Sequence, residues 1–504
     1  MRRVFIIVSV FLLFALGSLG AFHSMGWWIA LAILSPLYII GYLDLFQKEH
    51  TIRRNFPLIG NLRYLFEDIR PEIYQYFIES DTDGRPFNRK QRSIVYQRAK
   101  KELQTVPFGS QYDDERIGHE WIDHSIYPTV WEDKDPRITV GGSACKKPYE
   151  ASILNISAMS FGALGKNAIT ALNAGARIGG FAHNTGEGGV SPYHYEGKGD
   201  LIWQIGTGYF GCRSPKGAFD PDAFEATAQV EQIRMIEIKI SQGAKPAHGG
   251  VLPAEKNTEE IAHARGVEPF QEVVSPPAHS MFEDEHGLLD FIAQLRELAG
   301  GKPVGFKLCM GEREEFLQIC RAMLEKGVYP DFITIDDSNG GTGAAPLEFS
   351  DSIGMPLKNG LSFAHDALQS CELRHHIRLF ASGRIINGFD MIRTMALGAD
   401  ACYSARGMMF ALGCIQALRC NQNNCPTGVA THNPQLQNGL LIEDKKKRVA
   451  RFHDQTVRSA VEILQACGMN SFSDLKRKDI NRRGDNNRIL TYEELYPYQK
   501  VSVN

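Results

Sequence analysis

FITIDDSNGGTGAAP, residues 332–346, opens with five residues of β-forming character and empties into a polar, glycine-dense loop. The stretch before it, Glu314–Lys326, has apolar residues at helical spacing, so a strand here follows a helix. Outward from this point the same order repeats. Strand-like runs fall at Ile153–Met159, Phe181–Asn184, Met235–Ile240, Glu272–Ser275, Val304–Leu308, Phe332–Asp336, Arg378–Ala381 and Ala401–Ser404. Helical patterns lie between them, among them Lys166–Ile178, Leu288–Leu298, Phe389–Leu397 and Gly407–Leu418. Strands alternating with helices make a parallel sheet, and eight of them favour closure into a (β/α)8 TIM barrel, with an open doubly wound sheet as the alternative.

In such barrels the chemistry sits at the C-terminal ends of the strands, with phosphate gripped after the seventh and eighth. Polar and glycine-rich motifs fall at the expected exits: MSFG (159–162), HNTGEGG (183–189), SQGAKP (241–246), SPP (275–277), SNGGTGAAP (338–346), SGR (382–384) and SARG (404–407). Ser382-Gly383-Arg384 and Ser404-Ala405-Arg406 offer backbone N–H groups, hydroxyl and two guanidinium groups, as a phosphate monoester requires. Gly340, Gly341 and Thr342 bring backbone close to the same ligand. Lys307, in the middle of the fifth strand, needs an anionic partner. Either a flavin's N1–C2=O edge, which gains negative charge on reduction, or a buried carboxylate meets that need. Gly206-x-Gly208-x-x-Gly211 matches a dinucleotide fingerprint, but CRSPKG follows it where a Rossmann site needs a helix. It reads instead as an insertion loop between the second and third strands.

Cys414-x5-Cys420-x4-Cys425-Pro426 gathers three cysteines, while the other seven of the ten are scattered singly. Thiolates grouped in this way and closed by Cys-Pro suit a soft metal centre. His432 is the only nearby candidate for a fourth ligand, so a three-iron cluster fits better than a closed zinc site. The other reading is a set of buried small hydrophobes.

The chain has 504 residues and a formal net charge of −3, with no long basic run, which gives no case for nucleic-acid binding. Ten cysteines at this length are not a disulfide framework, and a metal-binding triplet belongs in a reducing compartment. Val4–Phe22 and Trp27–Leu43 are uncharged and strongly apolar, each near the ~20 residues that cross a hydrocarbon core. Arg2 and Arg3 precede them and Lys48, Arg53, Arg54 and Arg63 follow, which predicts a hairpin of two spans with both ends in the cytoplasm. A signal peptide cleaved near Gly20 is the competing reading. The expected organisation is an anchor over 1–46, a cap over 47–150, a barrel over 151–435, and a closing helix (Asp444–Cys467) with a polar tail over 436–504.

The ordered set MSFGALGKNAI, NTGEGG, IKISQGAKP, GGTGAAP, C-x5-C-x4-CP and PTGVAT resembles the FMN/iron–sulfur domain of glutamate synthase, in its short, stand-alone FMN-binding form, over about residues 145–470. The resemblance implies FMN and a 3Fe–4S cluster on Cys414, Cys420 and Cys425. It implies reduction of 2-iminoglutarate, from 2-oxoglutarate and ammonia, to L-glutamate. Lys245 and Arg265 match positions that hold the substrate carboxylates, Glu187 an acid beside the substrate, and Lys307 a flavin-contacting lysine. Met159, Ser160, Gly340, Gly341, Thr342, Ser382–Arg384 and Ser404–Arg406 are the remaining flavin-side candidates. Where the family reads QGAKPGEGGQLP, this chain has QGAKPAHGGVLP, so His248 and Val251 stand near the substrate carboxylates. A different imine, or a 2-oxo or 2-hydroxy acid, is therefore the second expectation, and a non-catalytic electron relay in a membrane complex the third. No glutaminase nucleophile is seen at the amino terminus and no dinucleotide domain is visible. Ammonia and electrons are thus expected from outside, the latter from ferredoxin or a partner reductase.

Overall fold

The computed structural model describes residues 1–102, 105–133, 135–341 and 343–501, so Thr342 lies outside the described residues. The chain forms two compact units, Met1–Arg89 and Lys90–Asn504.

The larger unit is built on a closed barrel of eight parallel strands in sequential order. They are β1 (Leu154–Ile156), β2 (His183–Asn184), β3 (Leu201–Ile205), β4 (Ile233–Lys239), β5 (Val304–Cys309), β6 (Phe332–Asp336), β7 (Arg378–Ser382) and β8 (Ala401–Ser404). β8 closes the ring on β1, with Cys402 opposite Leu154. The expected strands need two corrections. Leu201–Ile205, not among the expected strands, is the third barrel strand, so Gly206–Gly211, read as an insertion loop, is a strand-exit loop and SQGAKP follows the fourth strand. Glu272–Ser275 is no barrel strand: Val273–Val274 pairs antiparallel with Val251–Leu252 in a hairpin outside the ring. The helix expected over Gly407–Leu418 stops at Leu412, where Gly413 takes φ +110°, and the cysteine run continues as a loop with Gln416, Leu418 and Asn423 left-handed.

Side chains alternate in and out along each strand. On β4, Ile236 and Ile238 pack outward with the helices, while Met235, Glu237 and Lys239 form successive layers along the bore. The lowest layer holds Ile202, Met235, Phe332, Phe380 and Tyr403 against Val140 and Ala151. These last two come from the hairpin Arg137–Val140/Tyr149–Ser152, which plugs the N-terminal mouth. Above it lies Glu237, fully buried, accepting from Asn184 Nδ2 (2.7 Å), Gln204 Nε2 (2.6 Å) and Thr334 Oγ1 (2.7 Å). Helix Ile442–Ala466 covers the helix Lys166–Gly179 so closely that a Cβ on Gly175 would stand 2.7 Å from Val449. The segment read as a polar tail carries Ile480–Arg483, which pairs with Glu120–Ile122 and Ile489–Thr491.

In the smaller unit, Arg2–Phe22 and Gly26–Phe46 are helices of 21 residues each, long and apolar enough to cross a membrane. Small residues let them approach: a Cβ on Gly41 would strike the Phe5 ring, and one on Gly20 would stand 2.7 Å from Trp28. Ser9 Oγ and Tyr42 Oη share a hydrogen bond of 2.9 Å between them.

Candidate active site

The turn after β2 folds back over the loop after β1. Gly186 takes φ +65°, and a Cβ there would stand 3.0 Å from the Ser160 nitrogen; on Gly188 it would stand 2.9 Å from Ser160 Cβ. Met159 N donates to Asn184 O at 3.0 Å, and Met159 O accepts from His194 Nε2 at 3.2 Å. This clasp delivers Glu187 to the end of β4, where its Oε1 lies 2.6 Å from Lys239 Nζ. Burial alone would push the Glu187 carboxyl up, but Lys239, with Lys245 and Arg265 adding to it, holds it below its ordinary value.

Lys245, 2% exposed, is brought down to about 8 by burial, with Glu187 opposing the shift. Arg265 ends the helix Glu259–Arg265, donates from Nη2 to Phe161 O (3.2 Å) and lies 5.1 Å from the Phe210 ring centre. Burial lowers it to about 10, and its buried Nε makes no hydrogen bond. The three residues Glu187, Lys245 and Arg265 therefore meet at one site. Lys239 is a fourth member that sequence reasoning missed, although IRMIEIK places it two residues after Glu237 and so on the same inward face. His279 supports it by donating from Nε2 to Lys239 O at 2.9 Å, while Tyr209 of the Gly206–Gly211 loop sits at its Nδ1. Three buried cations around one carboxylate leave positive charge in a water-poor site, which only an anion can balance.

Lys307 Nζ lies 3.2 Å from Asp336 Oδ2, the carboxylate partner anticipated as one of its two options. Burial lowers this lysine, but Asp336 and then Glu237 outweigh it and raise it above its ordinary value. An ammonium has three donors, and this ion pair uses one. Asp336 also accepts from Gly243 N at 3.0 Å, tying the SQGAKP loop to the exit of β6.

At the ends of β7 and β8, Arg384 and Arg406 lie near one another. Burial, and then Arg384, lower Arg406 to about 10 against the pull of Asp337 and Asp336. Arg406 Nη2 donates to Asn339 O at 3.0 Å, and a Cβ on Gly341 would stand 3.0 Å from its Cδ. A Cβ on Gly340 would stand 2.9 Å from Asp337 O, and one on Gly383 2.5 Å from Asp337 Cβ, so the two loops interlock only as glycines. Ser404 gives its hydroxyl proton to Ile385 O (2.6 Å) and Ser382 pairs with Ser157 (3.2 Å). Ala405 precedes the helix Arg406–Leu412. The anion-binding power of this corner thus rests on two adjacent guanidinium groups and on backbone, which fits a phosphate monoester.

The three cysteines sense one another. Burial raises Cys414 to about 12, and Cys420 and Cys425 add to that rise. Cys425 is instead held below its ordinary value, because Thr427 Oγ1 and the backbone N–H groups of Ala430, Thr427 and Val429 surround its sulfur and outweigh burial. Lys256, 2% exposed and missed in the sequence, donates to Ala163 O (2.6 Å) and Cys420 O (3.2 Å). Neighbouring thiols of this kind ionise together only around metal, so the donor set fits an iron–sulfur cluster. His432 donates from Nε2 to Gly162 O at 2.8 Å, which withdraws that nitrogen from ligation. Among the described residues no three His, Cys, Asp or Glu side chains surround a single-ion position.

Residues 132–470 match the family described as the conserved region in glutamate synthase. The glutamate synthase large subunit-like protein YerD of Bacillus subtilis is 36% identical over 507 residues, covering 92% of this chain and 96% of that protein. The archaeal-type glutamate synthase [NADPH] of Thermotoga neapolitana is 34% identical over 321 residues, covering 64% of this chain and 60% of its own length. Among solved structures, a mutant flavocytochrome b2 with benzoylformate is similar with a TM-score of 0.45 and 12% identity, covering 87% of this chain and 90% of that one.

Proposed function

The chain belongs to the glutamate synthase family, and from that premise we propose that it is an oxidoreductase of the CH–NH2 class that reduces 2-iminoglutarate to L-glutamate. The observation that carries this reading is the group of Lys239, Lys245 and Arg265 around Glu187. Two cations beyond the Glu187–Lys239 pair suit the two carboxylates of a five-carbon dicarboxylate, one on Lys245 and one on Arg265. Glu187, kept ionised by Lys239, is placed to hold a proton of ammonia or of the imine nitrogen. FMN supplies hydride from N5 of its reduced ring when bound. Arg384, Arg406 and the backbone of their loops are the residues to hold its phosphate, and Lys307 the one to face its N1–C2=O edge. Cys414, Cys420 and Cys425 are the ligands for a 3Fe–4S cluster that receives electrons from an outside donor, ferredoxin or a reductase. The two apolar helices are read as a membrane anchor with the barrel in the cytoplasm.

Anaerobically reduced protein, mixed with 2-oxoglutarate and ammonia, is expected to reoxidise only when both are present; indifference to the pair overturns the reading. One observation favours a second reading. His248 sets its ring edge-on to Phe349 (5.4 Å between centres) with Nδ1 against Gly249 O (3.0 Å), and half-buried Val251 pairs with Val274. Both stand where the family carries polar side chains, so the same flavin chemistry on another imine, 2-oxo or 2-hydroxy acid is the alternative. A screen of such acids by the same reoxidation separates the two.

A further inference from the structure

The segment that follows the second apolar helix carries an exposed apolar face. Helix Ile59–Ile73 runs on as a π-helical turn, Tyr74–Ile78. Ile59, Leu62, Phe66, Ile69 and Ile73 recur at steps of three and four, which at 100° per residue confines them to an arc of about 80°. They are between 36% and 58% exposed, and Phe77, beyond them, is 85% exposed. Glu67 and Asp68 lie away from this stripe, and Arg63 and Arg70 border it. A contiguous apolar stripe rimmed by charge marks an interaction surface.

Where the helix begins indicates what covers it. Asp44, in the last turn of the second apolar helix, accepts from Leu58 N at 2.9 Å and from Asn61 Nδ2 at 2.5 Å. A Cβ on Gly60 would stand 2.9 Å from Arg53 Cα, and both His50 (4.7 Å) and Arg53 (4.3 Å) lie against the Tyr64 ring. The first turn of the striped helix is thus clamped to the end of the apolar helix, at the depth where such a span leaves hydrocarbon. Lys48, Arg53, Arg54 and Arg63 fall in this stretch beside the acids Asp44 and Glu49, with Arg63 also 3.5 Å from Glu67, and the excess of positive charge over residues 44–63 suits anionic headgroups. We infer that Ile59–Ile78 lies in the plane of the bilayer surface, its stripe sunk at the boundary of headgroups and acyl chains, and that its partner is lipid. The inference rests on the membrane reading of the two apolar helices.

The test places p-benzoylphenylalanine singly at Leu62, Phe66 or Ile69 in the stripe, at Glu67 or Asp68 away from it, and at Leu12 in the first apolar helix. The full-length protein is reconstituted in phosphatidylethanolamine/phosphatidylglycerol vesicles, irradiated and analysed by mass spectrometry. Lipid adducts are expected at Leu62, Phe66, Ile69 and Leu12, and not at Glu67 or Asp68. Adducts at Leu12 with none in the stripe overturn the inference and leave the anchor standing; cross-linked dimers at the stripe overturn it in favour of a second copy. Absence of lipid adducts at Leu12 as well overturns the anchor itself. In a Leu62→Asp/Phe66→Asp background the adduct at Ile69 is expected to disappear while that at Leu12 persists; persistence at Ile69 contradicts the stripe as the anchoring feature.

Discussion

In the proposed reaction Lys245 is the residue whose ionisation governs recognition of an anionic substrate, and its surroundings set the pH at which it fails. Burial brings it to about 8 and Glu187 opposes that fall. The charged form is the one that binds a carboxylate, so affinity is full below this value and is lost as pH rises through it. The KM for 2-oxoglutarate is expected to climb above about pH 8, approaching tenfold per pH unit, as for one titrating group. In Glu187→Gln the opposing charge is gone, so the climb begins at lower pH; a steady-state pH series in both proteins reads this, and an unmoved or upward-moved limb contradicts it. The cysteines make a second prediction at this scale. Cys371 lies beside Cys320 in a buried pair outside the run 414–425. Iron analysis of anaerobically purified protein is expected to show loss in Cys414→Ala, Cys420→Ala and Cys425→Ala, and full iron in Cys371→Ala. Equal iron in all four removes the cluster.

The elements carry a different set of consequences. Glu237 joins β2, β3, β4 and β6 through three donors inside the barrel. Glu237→Leu leaves Asn184, Gln204 and Thr334 without an acceptor, at roughly 1–3 kcal/mol for each orphaned group, so a marked fall in Tm is expected. Gly383→Ala drives a methyl into Asp337 from the neighbouring strand exit. Overpacking of about 1–3 kcal/mol and weaker FMN retention are the expected outcome, measured by thermal melts and flavin content. Most strands were legible because β-branched runs alternate with helical patterns. β3 was not, because only the five-residue helix Pro192–Glu196 separates it from β2 and no helical period announces a crossover. Glu272–Ser275 took its place because two adjacent valines imitate a strand wherever they pair. The site followed the same division. Glu187, Lys245 and Arg265 were expected from the family resemblance, and the fold brings them together, whereas Lys256 reaches Ala163 and Cys420 only through tertiary folding, which no local spacing encodes.

At the scale of the whole molecule, one barrel end gathers an acidic group among cations, a pair of arginines and a cysteine run, on a chain whose first unit carries two helices long and apolar enough to cross a membrane. Each part has its counterpart in the proposed chemistry: substrate carboxylates on Lys245 and Arg265, a phosphate between Arg384 and Arg406, and iron on the three thiols. The proposal stands or falls on whether electrons held by this protein pass to an imine formed from ammonia. The most direct test is stopped-flow absorbance of the chemically reduced, anaerobic full-length protein mixed with 2-oxoglutarate, ammonia, or both. The account predicts rapid return of oxidised-flavin absorbance, with L-glutamate formed in step, only in the mixture of both. Return of absorbance with neither or either alone at the same rate, or no return with both, contradicts it.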